Sequence, residues 1–277
     1  GLSDSFTLDA TLIPDFGQAA FDEVTLNLGP FEQTFEEQRQ FFTEGTELFN
    51  KGALFFSRRV GGAPSREITN LEQNQVVEQY PESVNLLNAV KVSGRTKDNL
   101  GIGFFNAITE KTYATVLNQQ TDQTQEILVE PLTNYNIFVL DQQFNDNSSI
   151  ALINTNVTRE GQFRDANTTA VVYDVSNKQN TFNIFGRNVA SNVSEDNGIS
   201  TGFLSEIEVS RIKGNFRYRV EHKFANTTYD INDLGLNRRN NFNNLEAEIS
   251  YENFEPTKTF NKYKFELSAR HRRLYSP

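Results

Sequence analysis

The sequence predicts an all-β fold: an antiparallel transmembrane (outer-membrane) β-barrel, incomplete in this chain, with a plug-like irregular segment at its N-terminus. Three observations predict it. From residue 86 onward, apolar and polar residues alternate with period 2, which places the two kinds on opposite faces of a strand. Many of these stretches run to about ten residues, the length a tilted strand needs to cross a bilayer. The connections alternate between short turns and longer loops, as they do in a barrel with one trimmed end.

The strands are expected at 86–96, 99–109, 132–142, 148–158, 168–175, 180–190, 203–212, 214–225, 242–253 and 259–272. The alternation is clearest late in the chain. Phe216, Tyr218 and Val220 oppose Arg217, Arg219 and Glu221; Leu245, Ala247, Ile249 and Tyr251 oppose Glu246, Glu248 and Ser250. Upstream, Tyr135, Ile137 and Val139 oppose Asn134, Asn136 and Phe138. Short turns are expected near Lys97, Asp146, Lys178, Gly214 and Pro256, and longer loops at 110–131, 159–167, 191–202 and 226–241.

A soluble β-sandwich or jelly roll also alternates. The charges favour the barrel. Glu206 and Glu208 stand on one strand, Arg217 and Arg219 on the next, Glu246 and Glu248 on the next, then Lys264 and Arg270. Opposite signs on neighbouring strands can pair across the sheet, and a charged wall facing water suits a wide lumen. With no Trp in the chain, Phe and Tyr must supply any interfacial girdle; Tyr113, Tyr135, Tyr173, Tyr229, Tyr251, Tyr263 and Tyr275 lie near strand ends or loops.

Residues 1–85 differ from the rest, 86–277. Residues 1–80 hold 13 acids and 5 bases, a net of −8 out of the chain's −10. Their hydrophobic spacing is irregular, and the stretch is too polar for an independent core. Inside a charged lumen it reads as a plug. Its charged residues Glu32, Glu36, Glu37, Arg39, Glu44, Arg58 and Arg59 are expected to meet a lumen wall of Glu206, Glu208, Arg217, Arg219, Glu246, Glu248, Lys264 and Arg270.

Several separated motifs carry a resemblance. Leu8-Asp-Ala-Thr-Leu-Ile-Pro-Asp-Phe-Gly-Gln18, the Phe31 to Gly45 stretch with its Phe-Glu-Glu-Gln-Arg-Gln-Phe-Phe run, and Phe55-Phe-Ser-Arg-Arg-Val-Gly61 follow one another in order. Lys91-Val-Ser-Gly-Arg-Thr-Lys97 and Tyr229-Asp-Ile-Asn-Asp-Leu-Gly235 follow later. Together they resemble the uncharacterised outer-membrane β-barrel family of Bacteroidota that often carries an N-terminal carbohydrate-binding-family-9-like domain. The resemblance implies a location in the bacterial cell outer membrane. The plug in a charged lumen suggests a role in transport across that membrane or as a component of an outer-membrane assembly, the other reading being a surface glycan- or protein-binding module displayed on the barrel without transport. The expected partners are outer-membrane lipid, outer-membrane or periplasmic proteins and a glycan. The family's barrel continues beyond a point like Pro277, and the terminal Leu274-Tyr-Ser-Pro277 is a poor closing strand, so further strands are expected. With no Met to initiate it, a chain that starts at Gly1 is expected to have had a segment removed or left out upstream.

The chemistry is sparse. A chain with no Cys has no disulfide framework, thiol catalysis or Cys-based metal site. The negative charge argues against nucleic acid. No Ser/His/Asp arrangement, phosphate loop or dinucleotide loop is present, His222 and His271 sit among strand-end basic residues, and Asp9, Asp15, Asp22 and Glu23 match no calcium loop. Neither an enzyme, a catalytic residue, a metal nor a cofactor is expected. Five Asn-x-Ser/Thr triplets, at Asn147, Asn156, Asn167, Asn192 and Asn226, are what an Asn-rich chain with 32 Asn produces by chance.

Overall fold

The computed structural model describes residues 6–12, 37, 39–195, 197–253 and 255–277, with the backbone alone for 6–12 and 40. Along the chain come β1 (Phe6–Leu12), a one-turn helix α1 (Gln40–Thr43), β2 (Gln75–Gln79), β3 (Leu86–Arg95), β4 (Leu100–Thr109), β5 (Thr112–Asn118), β6 (Gln123–Glu130) and β7 (Thr133–Phe144). There follow β8 (Ser148–Arg159), β9 (Asp165–Ser176), β10 (Phe182–Glu195), β11 (Gly198–Arg211), β12 (Phe216–Ala225), β13 (Phe242–Asn253) and β14 (Tyr263–Arg273). Among the described residues no helix is long and apolar enough to cross a membrane.

The fold is all-β and antiparallel. One 11-stranded sheet has the order β1-β3-β4-β7-β8-β9-β10-β11-β12-β13-β14, and a 3-stranded sheet, β2-β5-β6, stands apart from it. The large sheet is a meander, so each strand pairs with its chain neighbour and only the β2, β5 and β6 excursions interrupt it. Asn99, Asn145 and Asn180 take positive φ (61°, 52° and 51°) at the short turns, a conformation Asn tolerates through its small polar side chain.

Four expectations change. The sheet does not close on itself: β1 and β14 are its edges, and no ladder joins them among the described residues. The 1–85 stretch is not wholly irregular, because β1 pairs with β3 from Phe6↔Gly94 to Leu12↔Asn88 and β2 joins the small sheet. The expected loop 110–131 is the β5–β6 hairpin: β5 carries apolar residues on both faces and β6 opens on Gln-Thr-Gln-Glu, so neither shows the alternation that marks a half-buried strand. The expected loop 191–202 is instead the tip of a long hairpin, since Glu195↔Gly198 closes β10 on β11.

Directly paired residues share a face, so the register sorts the side chains. One face, the packed face, carries Phe105 and Ala107 of β4, Ile137 and Val139 of β7, Ala151, Ile153 and Val157 of β8 and Ala170 of β9. The 39–60 stretch lies on these residues and adds Phe42, Leu48, Phe49, Leu54 and Val60 to one core. Phe105 is its hub, with the rings of Phe55, Phe42, Phe41 and Phe49 centred 5.4, 6.0, 6.1 and 6.3 Å away. Gly103 makes room for this layer: a Cβ there would sit 3.2 Å from the Phe49 ring.

The 226–241 connection also folds back onto the packed face. Tyr229, Ile231 and Leu234 are buried in the same core, as is Tyr135, so neither Tyr135 nor Tyr229 stands in a girdle. Gly202 of β11 lies against this connection so closely that a Cβ would fall 2.4 Å from both Thr228 O and Tyr229 Cα. Both are backbone atoms that cannot rotate away. Gly202→Ala is therefore expected to cost about 2 kcal/mol by overpacking, read as a lower urea midpoint.

The opposite face of the large sheet is open and apolar. Phe104, Phe138, Ile150, Leu152, Val171, Ile184, Val209, Val220 and Ile249 are exposed along it, and Phe265 and Leu267 on β14 reach 69% and 67% exposure. Tyr173 lies over Gly186, its direct partner on β10, filling the gap that the glycine leaves.

Candidate functional site

The packed face is the candidate site, because there the sheet offers charged side chains to a segment of little regular structure. The segment's backbone carbonyls need donors, and the sheet's cations supply them. Lys91 of β3 donates to the carbonyls of Phe41 (2.8 Å) and Glu44 (2.5 Å), with its ammonium 4.8 Å from the Phe41 ring centre. Arg187 of β10 donates to the Gly52 carbonyl at 2.9 Å and pairs with Glu206 at 3.1 Å, which Lys223 also reaches at 3.1 Å.

The strongest tie runs through Asp141 of β7. Its carboxylate is 0% exposed and sits between Lys51 Nζ of the segment (2.5 Å) and Arg95 Nη2 of β3 (2.6 Å). Arg95 also donates to the carbonyls of Asn99 (2.8 Å) and Asp141 (3.2 Å). Neither Lys51 nor Asp141 was singled out from sequence. The available signal was an acid at the inward position after Tyr135, Ile137 and Val139.

At the start of the segment, Arg39 forks onto Glu37, Nε to Oε1 at 2.8 Å and Nη2 to Oε2 at 2.7 Å. Ser57 Oγ donates to the same carboxylate at 2.6 Å, and Arg39 reaches the carbonyls of Val60 (2.6 Å) and Ser57 (2.9 Å). Burial pushes the Glu37 carboxyl up, but the hydrogen bonds and charge of Arg39, with Ser57, outweigh it and hold the pKa at about 2 against an ordinary 4.5. A lowered folded-state pKa stabilises the fold above the unfolded value, and that contribution fades as pH falls from 4.5 towards about 2. Protease protection of residues 37–60 is therefore expected to weaken across that acid window in the wild type. Glu37→Gln should be weaker at neutral pH and flat across the window.

The structure places the other expected site residues as follows. Glu32 and Glu36 lie outside the described residues. Glu44 enters through its carbonyl, on Lys91. Arg59 donates to the Gly235 carbonyl at 3.2 Å, and Arg58 lines the cavity described below. On β11 to β14 the charges pair with one another. Arg219 lies 2.8 Å from Glu221, 3.4 Å from Glu208 and 3.9 Å from Glu246 and Glu248. Glu246 also meets Arg270 and Arg272, each at 3.3 Å, while Lys264 pairs with Glu266 and Arg217 donates to the Gly214 carbonyl at 3.0 Å. These pairs are part-exposed and water-screened, so they add little stability and chiefly favour this register.

At the loop-rich end of the sheet the packed face opens into a cavity of about 1000 Å³. Arg164 on its rim donates to Asp230 (2.6 Å), Glu195 (2.8 Å) and Asp233 (2.9 Å). Arg159 pairs with Asp233 at 2.9 Å and Glu130 at 3.5 Å. Burial pushes the Asp230 carboxyl up, but the Asn232 amide and Arg164 outweigh it and hold it low. Both arginines are matched by carboxylates, so the pair suits neutral polar contents better than an anion. Among the described residues no group of three or more His, Cys, Asp or Glu could hold a metal ion.

The family described as "Domain of unknown function (DUF5916)" matches the chain over residues 1–277. No curated protein and no solved structure matches it.

Proposed function

From the premise that the chain belongs to the DUF5916 family, we propose that it forms the wall and plug of an outer-membrane β-barrel. The protein acts in transport across that membrane or as a component of an outer-membrane assembly. The observation that carries this reading is the course of the exposed apolar belt. One row of directly paired residues runs Ile102, Leu140, Leu152, Val171, Asn188, Ser205, Phe224, Asn243, Arg273. It begins in the belt and ends outside it, because on β14 the belt lies at Leu267 and Phe265, six and eight residues short of Arg273 (273 − 267 and 273 − 265). Over the eight pairings of that row the belt slides by about one residue per strand, ~3.4 Å for each ~4.8 Å step sideways, an angle of about 35°. Strands of a membrane barrel tilt by about 35–45°, so a belt level with the bilayer slides in this way.

Aromatic clusters border the belt. Phe203, Phe224 and Tyr275 meet on one side, with Phe224 and Tyr275 stacked at 5.9 Å; Tyr251 and Tyr263 meet on the other at 6.2 Å. From Phe216 to Phe224 on β12 the tilted rise is ~22 Å, close to the apolar height of about 25 Å in such barrels. β1 and β14 are the first and last of 11 alternating strands, so they run in the same direction. An all-antiparallel closure takes an odd number of further strands between them, which gives the even total usual for bacterial barrels. The 39–60 segment then lies inside, held by Lys91, Arg187 and Asp141, and its displacement opens a path. The second reading, a surface glycan- or protein-binding module without transport, draws on the polar cavity.

Two measurements test the proposal. The intact protein extracted in detergent should migrate differently on gels before and after boiling, and it should insert into lipid bilayers. Migration unaffected by boiling, with solubility in the absence of detergent, would reject the barrel. Conductance that is unchanged when the segment's ties are removed would reject gating.

A further inference from the structure

We infer that the uncharged amide row on the open face is a contact surface for the core sugars of a glycolipid leaflet, those beyond the lipid's own phosphorylated disaccharide. This inference rests on the outer-membrane reading above. Asn106, Asn136, Asn156, Asn167, Asn192 and Thr201 stand directly opposite one another across β4, β7, β8, β9, β10 and β11. The neighbouring row on the belt side is Phe104, Phe138, Asn154, Thr169, Ala190 and Phe203, so the amides meet the apolar belt directly on β4 and β7 and, as the belt slides, stand farther from it on β8 and β9. They lie towards the end that carries the longer connections, 110–132 and 226–241, which is the outer side of a bacterial barrel.

Neither row holds a charged residue. A sheet face that meets only water ordinarily mixes in Lys, Glu, Asp and Arg. A face that meets lipid phosphates ordinarily carries Lys or Arg. These two rows carry neither. They offer amides and hydroxyls that both donate and accept, which is also what a sugar hydroxyl does. The side chains are set in place by bonding along the row: Asn106 donates to Asn136 at 2.9 Å, Asn167 to Asn156 at 3.2 Å, and Thr201 to Asn192 at 2.8 Å. The same pattern accounts for three of the Asn-x-Ser/Thr triplets. Asn156 with Thr158, Asn167 with Thr169 and Asn192 with Ser194 are successive outward positions on one strand, two residues apart.

The test compares the intact protein in phosphatidylethanolamine vesicles alone, with lipid A, and with lipopolysaccharide that carries core sugars but no O-chain. Unfolding is followed by the boiling-dependent gel shift. The unfolding midpoint should rise further with the core-bearing lipid than with lipid A, whose headgroup offers only a phosphorylated disaccharide. N136A/N156A/N167A should lose that extra rise while keeping its midpoint difference between lipid A and plain vesicles. If the triple variant does not fold, N156T, with an ordinary strand residue, is expected to lose part of the rise. Equal midpoints with lipid A and the core-bearing lipid, or variants that keep the full rise, overturn the inference. Failure to insert into any of the three vesicles overturns the barrel reading, and the inference with it.

Discussion

Phe105→Ala is expected to destabilise the protein by about 3–5 kcal/mol, among the largest costs a single core truncation brings. The side chain is 1% exposed, and four phenylalanine rings from the 41–55 stretch surround it. Truncation removes the transfer energy of one ring and leaves a cavity walled by side chains from two separate parts of the chain. Each lost ring pair adds about 0.5–1.5 kcal/mol beyond the area term, although the pairs share one ring and their losses do not simply add. The effect should also be local. β4 keeps its ladders to β3 and β7, whereas the segment loses its apolar anchor. Limited proteolysis should therefore cut within 41–60 of the Phe105→Ala protein before denaturant unfolds the sheet. Phe105→Leu refills most of the space and should recover most of the stability. If Phe105→Ala unfolded at the wild-type midpoint with the segment still protected, the ring cluster would not be what holds the segment.

The strands from residue 86 onward were legible because nearly all of them have two different faces. The expected 86–96, 242–253 and 259–272 correspond to Leu86–Arg95, Phe242–Asn253 and Tyr263–Arg273. β5 and β6 were not legible, since β5 is apolar on both faces (Tyr113, Ala114, Val116, Leu117) and β6 is polar over its first half, so neither carries a sustained alternation. Nor was the tip of the β10–β11 hairpin, where Asn192, Ser194 and Thr201 read as loop although they lie on paired strands. Charge pairing across β11 to β13 was visible in Glu208, Arg219 and Glu248, because it depends on strand order and alternation alone. What could not be read was where the packed face changes character. It is mainly apolar on β4 to β9, where the 39–60 segment covers it, and charged along most of β12 to β14, where that core takes in only Ala225 and Phe242 at the ends of the loop 226–241. A sheet face is polar only where water meets it, and the position of the covering segment is a property of the fold, not of the strand's own residues.

Asp141→Ala is expected to produce the second large effect. A buried carboxylate held by two cations contributes little compared with a well-packed apolar replacement, but removing one side of such a pair costs about 3–5 kcal/mol, because the charges left behind are stranded. Here Lys51 and Arg95 would be left facing each other. Both retain about a quarter of their side-chain exposure (23% and 25%), so water can reach them and the cost should lie at the low end of that range. Lys51→Ala should cost less than Asp141→Ala, since Arg95 still compensates the carboxylate. The double variant Lys51→Ala/Asp141→Ala should cost less than the sum of the two by about 0.5–3 kcal/mol, the sign expected of groups that act on each other. The same comparison bears on gating. The pair joins the segment to β7, so under the transport reading both single variants should raise bilayer conductance, and the double variant should raise it no further than Lys51→Ala alone. Strict additivity in urea would mean that the 2.5 Å contact does not couple the two side chains in solution. Conductance that rises with Phe105→Ala and not with Asp141→Ala would place the hold on the segment in its aromatic layer and leave the ion pair a register device.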